Sequence, residues 1–243
     1  MFRSTKKGQT ITPFIILGII LLGILVFLVS MGPTLVRTAT YSVSDVEDAY
    51  TNCNQQALIR SLATIGKNGG YYAVPPDRAI PDVGGAYWYL NAPLPLDKAR
   101  VAREIEQGMM QDVTSDCRDL PGTFSRYGFS INEQPRHMEV SINDDDVTVV
   151  VTYPIDVSKK DRTGRIEKVV VSERVKLKEA LVLAGEMARL FDSTGGEVFF
   201  GSRCAQGTRT QAYQVKDSIV ARIGGIGHLS DRTEDYEFVV GLK

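Results

Sequence analysis

The residues able to do acid–base, nucleophilic or metal chemistry are few in this chain, and their spacing does not group them. His137 and His228 are the two histidines, and neither stands beside a Ser or Cys in a nucleophile arrangement such as G-x-S-x-G. Cys53, Cys117 and Cys204 show neither C-x-x-C nor a Cys/His spacing that would suit zinc. Asp144, Asp145 and Asp146 form an acidic triplet, and oxygen-rich turns suit hard cations such as calcium. The triplet lacks the D-x-[DN]-x-[DN]-G-x5-E layout, and Asp at a hairpin tip favours turn geometry without any ion. Asp156, Glu139 and Glu173 fall in alternating segments, where they read as outward-facing partners of Lys and Arg. Gly224-Gly225-Ile226-Gly227-His228 is neither a P-loop nor a dinucleotide turn. The expectation is a chain that is not an enzyme and holds no metal or cofactor.

What the sequence does specify is a place. From Ile11 to Val29 runs an uninterrupted charge-free stretch, ITPFIILGIILLGILVFLV, inside a segment Gln9 to Val36. Its length matches a helix crossing a hydrocarbon core of about 30 Å. A secretory h-region is shorter and ends in a small-residue cleavage site, which Ser30-Met31-Gly32-Pro33 does not supply. Arg3, Lys6 and Lys7 precede the stretch without an acid, so the positive-inside rule puts the N-terminus in the cytoplasm and the bulk of the chain outside the cell membrane. The net charge of the whole chain is -1, which offers no basic field for nucleic acid.

Lys6-Lys7-Gly8-Gln9-Thr10, directly before the apolar run, resembles the class III signal of archaeal type IV pilins and related surface proteins. The resemblance implies that a prepilin peptidase cuts between Gly8 and Gln9, with Lys7, Gly8 and Gln9 as the processing residues, and leaves the apolar helix on the mature chain. Gln9-Thr10-Ile11-Thr12-Pro13-Phe14-Ile15 is similar to those pilin starts. Pro13 occupies the fifth mature position, where many bacterial pilins carry a Glu, so that subunit-registering carboxylate is absent. Beyond the anchor, the layout resembles single-span surface proteins of small-genome archaea, a resemblance that implies no activity.

The elements that follow are read from periodicity. Ser44-Asp45-Val46-Glu47 fits a capping box, and Val46, Tyr50, Cys53, Ala57, Leu58, Leu62 and Ile65 recur at helical spacing up to Gly66 and Gly69-Gly70. A second helix is expected from Asp97 to Arg118, ended by Leu120-Pro121-Gly122. Between them, Tyr71 to Pro95 carries too many prolines for one regular element. Its rings, Tyr71, Tyr72, Tyr87, Trp88 and Tyr89, read either as a ledge for a glycan or partner, as a belt at the lipid headgroups, or as a cap on the core. From Tyr127 the period becomes two. Strands are expected at Phe129 to Asn132, Met138 to Asn143, Val147 to Val157 and Arg165 to Val175. A third helix follows at Leu177 to Phe191, then a strand at Val198 to Phe200, a weak helix at Tyr213 to Ile223 and a last strand at Tyr236 to Val240. With the bulk of the chain outside, one disulfide is plausible. Cys53 with Cys117 is the favoured pair, both lying on predicted helices, and three reduced thiols are the alternative.

The expected architecture is α+β. A cytoplasmic leader, 1–8, and a transmembrane helix, 9–36, precede a membrane-proximal helical pair with an aromatic loop, 37–126, and a strand-rich region, 127–243, containing an antiparallel meander with a packed helix. Two functions fit. One is a pilin-like subunit of a filament or surface structure, whose partners are the bilayer, a prepilin peptidase and other copies or surface proteins. The other is a static single-span anchor carrying an exterior binding or assembly domain.

Overall fold

The computed structural model describes Leu22 and residues 41–81, 83–93, 96–160, 162–194, 203–205, 208–230 and 236–243. The expected leader, and all of the expected span but Leu22, lie outside these residues, as does the strand expected at Val198 to Phe200. Among the described residues no helix is long and apolar enough to cross a membrane. Ser42–Lys243 forms one compact unit, so the helical and strand-rich regions beyond Ser42 share it. The fold is α+β.

Helix α1 spans Val43–Lys67. Its capping acid is Asp45: the Ser42 amide donates to Asp45 Oδ2 at 2.5 Å and the Ser42 hydroxyl to the same oxygen at 2.7 Å. The expected box on Ser44 and Glu47 is therefore set two residues too late, because Ser42 is the last extended residue and Asp45 stands three beyond it. These hydrogen bonds hold the Asp45 carboxyl below its ordinary pKa. The buried stripe includes Val46, Tyr50, Ala57, Leu58, Leu62 and Ile65. Gly69 and Gly70, at φ 64° and 96°, turn the chain out of the helix. A Cβ on Gly69 would stand 2.6 Å from the Val239 carbonyl oxygen, so this turn needs glycine for closeness as well as for handedness.

Helix α2, Lys98–Asp116, starts at Asp97, whose side chain accepts the Arg100 amide at 2.6 Å. It ends at Cys117, but Leu120-Pro121-Gly122 is not its terminator. That tripeptide opens a further short helix, α3, Leu120–Ser125, with Pro121 in the first turn, where a missing amide costs nothing. The cores of α1 and α2 meet side by side, and a disulfide joins Cys53 of α1 to Cys117, with Cα atoms 6.0 Å apart.

Four strands build the first sheet: β2 Ser130–Glu133, β3 His137–Ile142, β4 Val147–Lys159 and β5 Arg162–Glu173. All pairings are antiparallel. β4 is flanked by β5 on one side and by β3 and then β2 on the other. Odd-numbered residues of β4, from Val147 to Val157, are buried and its even-numbered ones face outward; on the buried face α1 lies along β5 and β4, and α2 lies against β3. Between Thr152 and Ile155 one extra residue bulges from β4.

Helix α4 is Leu177–Ser193. The second sheet contains β1 Ala86–Tyr89, β6 Arg203–Ala205, β7 Thr208–Val215, β8 Ser218–Gly224 and β9 Phe238–Leu242, in the order β1-β9-β8-β7-β6. Its pairs are antiparallel except β1 with β9, which is parallel. The helix expected at Tyr213 to Ile223 is instead the β7–β8 hairpin, with Tyr213 paired to Val220 and Lys216 at φ 54° in the turn. The β-branched Val215, Ile219, Val220 and Ile223 favour the pleated surface once β9 is there to receive them. The final strand lies two residues later than expected.

Candidate functional site

The five rings singled out in the sequence do not form a common surface. Tyr71, Tyr87 and Trp88 are buried. The Trp88 indole donates to the Gly69 carbonyl at 2.8 Å and meets Phe238 edge-on at 5.9 Å. Tyr87 shares a hydrogen bond of 2.7 Å with Ser218 Oγ. The Tyr71 hydroxyl accepts from Arg78 at 2.5 Å, and the Arg100 guanidinium lies over its ring. Tyr72 donates to Asp112 at 3.0 Å, and burial together with that bond raises its pKa. Tyr89 donates to Asp192 at 3.0 Å, which raises its own, and its ring packs on Phe191 at 4.9 Å. The aromatic segment therefore ties α1, α2, α4 and the second sheet together. Three of its rings have no face to offer a ligand.

A polar cluster lies between α1 and the first sheet. Tyr50 donates to Glu133, and Arg136 donates to the Tyr153 hydroxyl at 2.7 Å while stacking on that ring at 4.2 Å. Burial, and then the bond to Glu133, pushes the Tyr50 phenol far above its ordinary value. Burial lifts Tyr153 to about 12. Both phenols therefore stay protonated at neutral pH. Tyr236 is also buried, its hydroxyl meets no hydrogen-bond partner among the described residues, and burial raises its pKa.

Glu173 departs from expectation. It is 1% exposed rather than outward-facing. Gln55 donates to its Oε1, while the Ser230 amide reaches Oε2 at 3.1 Å and the Ser230 hydroxyl reaches Oε1 at 2.7 Å. The signal was present, because Glu173 continues the buried alternation of Val169 and Val171. Asp156 and Glu139 do face outward, Asp156 standing 3.7 Å from Arg165.

On the outward face of the first sheet, cross-strand register places Ser130, Ser158 and Thr163 in one row and Asn132, Asp156 and Arg165 in the next. These six line a shallow concavity of about 560 Å³. It offers hydroxyls, an amide and a balanced ion pair, a set suited to hydrogen bonding. Asp144 to Asp146 lie where the β3–β4 turn closes, with Asn143 bonded to Asp146 at 2.7 Å and Lys178 on Asp144 at 2.5 Å. The lysine holds the Asp144 carboxyl low. Among the described residues no three His, Cys, Asp or Glu converge as a metal site. His137 opens β3 on its exposed face, and His228 lies in the loop before β9. Cys204 falls in β6. The processing residues Lys7, Gly8 and Gln9 lie outside the described residues. No family model, no curated protein and no solved structure matches this chain.

Proposed function

We propose that this chain is a non-enzymatic, membrane-anchored surface protein. Its Ser42–Lys243 unit stands outside the cell on a single N-in span, and the span is processed at Gly8 as in pilin-like subunits. The observation that carries the reading is the Cys53–Cys117 disulfide. Such bonds persist in oxidising surroundings, and the basic flank of the apolar run, by the positive-inside rule, supports the same exterior placement. In this reading a prepilin peptidase removes the basic leader. The apolar helix then exchanges lipid for packing against its neighbours, while the folded unit forms the outer surface of a filament or surface layer.

The deciding measurement is the first residue of the native protein, from terminal peptide mapping of isolated envelopes and of any sheared filaments. A start at Gln9 supports the processed subunit. A start at Met1 or Phe2 overturns processing and leaves a fixed anchor with an exterior binding domain.

A further inference from the structure

An antiparallel strand directs every second residue's N–H and C=O away from its neighbour, so a strand paired on one side presents a ready template on the other. β5 is such a strand. It is 12 residues long and pairs along its length with β4. Among the described residues no strand pairs with its far edge. One contact there is a side chain near the end, where Gln55 Nε2 donates to the Ser172 carbonyl at 3.1 Å. Ile166, Val169 and Val171 of the strand turn inward and are buried, while its outward-facing side chains are open. The Arg165 and Glu167 side chains are 52% and 79% exposed, and Val170 is 52% exposed.

The charges on this edge select a partner. Arg165, Ile166 and Glu167 read plus, apolar, minus, and an antiparallel copy reads minus, apolar, plus. We infer that the edge of β5 opposite β4, which no strand among the described residues pairs, docks a second copy of this chain, the two β5 strands pairing antiparallel about a two-fold axis through Ile166. In that register Arg165 of each copy stands directly opposite Glu167 of the other, Lys168 faces Gly164, and Arg162 faces Val170. An axis at Arg165, Glu167 or Lys168 would instead set like charges opposite each other, which destabilises an antiparallel pair. Arg165 and Glu167 already lie on one side of the strand, 3.9 Å apart. An isologous contact of this kind closes on itself and uses one surface twice. The inference stands whether or not the leader is cleaved.

Sedimentation of the full chain in detergent micelles tests it, comparing wild type, Arg165→Glu, Glu167→Arg and an equimolar mixture of the two variants. The wild type is expected to show a concentration-dependent monomer–dimer equilibrium. Each variant alone sets two like-charge pairs across the axis and should raise the dimer Kd by roughly tenfold or more. Mixing them places Glu opposite Arg at both pairs and should restore association, which also shows that both variants are folded. A wild type that stays monomeric, single variants that associate as well as wild type, or a mixture that does not recover would each overturn the inference.

Discussion

The first sheet takes β3, β4 and β5 from adjoining stretches of chain, each turn returning a strand beside the one just left. The second closes by joining β1, in the first half of the sequence, to β9 at its end, in parallel. The first resembles a locally wound hairpin array, for which loop closure costs little. The second must bring distant ends together before any contact repays the entropy. The helical pair partly compensates. α1 covers β5 and also reaches β9, so one helix serves as a floor for both sheets. The lesson is that the second sheet depends on a few anchoring side chains where the first depends on a repeated pattern.

That contrast can be broken most directly at Trp88. Truncation to Ala removes the indole from Phe238 and from the Gly69 carbonyl, and should cost about 3–5 kcal/mol in denaturant unfolding. An equal loss from one β4 valine would contradict the difference. Replacing Cys53 and Cys117 together by Ser frees a 64-residue separation. It should lower stability by about 4 kcal/mol in the chain-entropy account, less if the unfolded state stays compact. The same loss should follow treatment of the wild type with reductant. Glu173→Gln takes one carboxylate oxygen from the Ser230 amide and hydroxyl at a buried side chain and should cost about 1–3 kcal/mol. It should also speed amide exchange in the loop before β9 more than in β3.

The smallest effect at neutral pH comes from the phenols. Tyr50 and Tyr153 in the first layer, and Tyr236 beside the second, have folded pKa values above the ordinary 10.0. The unfolded chain therefore releases their protons first. Their contribution is complete below pH 10 and is lost as pH rises through about 12, the folded value of Tyr153, and beyond. Urea midpoints should be flat from neutrality to pH 10 and fall above it. Tyr153→Phe should flatten part of that fall.

The same contrast governs how much was legible beforehand. The strands from β2 to β5, and α4, follow their alternating or helical patterns closely, because side-chain period and spatial neighbour agree there. β1 was hidden because Ala86 to Tyr89 lies among prolines and glycines and becomes a strand only beside β9. Tyr213 to Ile223 read as a helix for the same reason, its partner lying beyond the reach of a local window. Of the site residues, Cys53 and Cys117 were legible, since both fall on predicted helices that can pack as a pair. The fate of Trp88 was not, because an aromatic in a loop has the same composition whether it faces solvent or core.

The bridge between Cys53 and Cys117 also bears on mechanics. Tension entering from the N-terminal side of α1 can pass across the sulfurs to Cys117 without traversing the chain between them. That detour, which contains most of α1, the aromatic segment, β1 and α2, is a covalent ring sheltered from the load. Roughly 220 Å of contour cannot be paid out while the bond is intact. A chain loaded through its two ends would lengthen only outside the ring, in the first turns of α1 before Cys53 and beyond Cys117, where the loss of Phe238 would strip Trp88 of its partner while Trp88 itself stays in the ring.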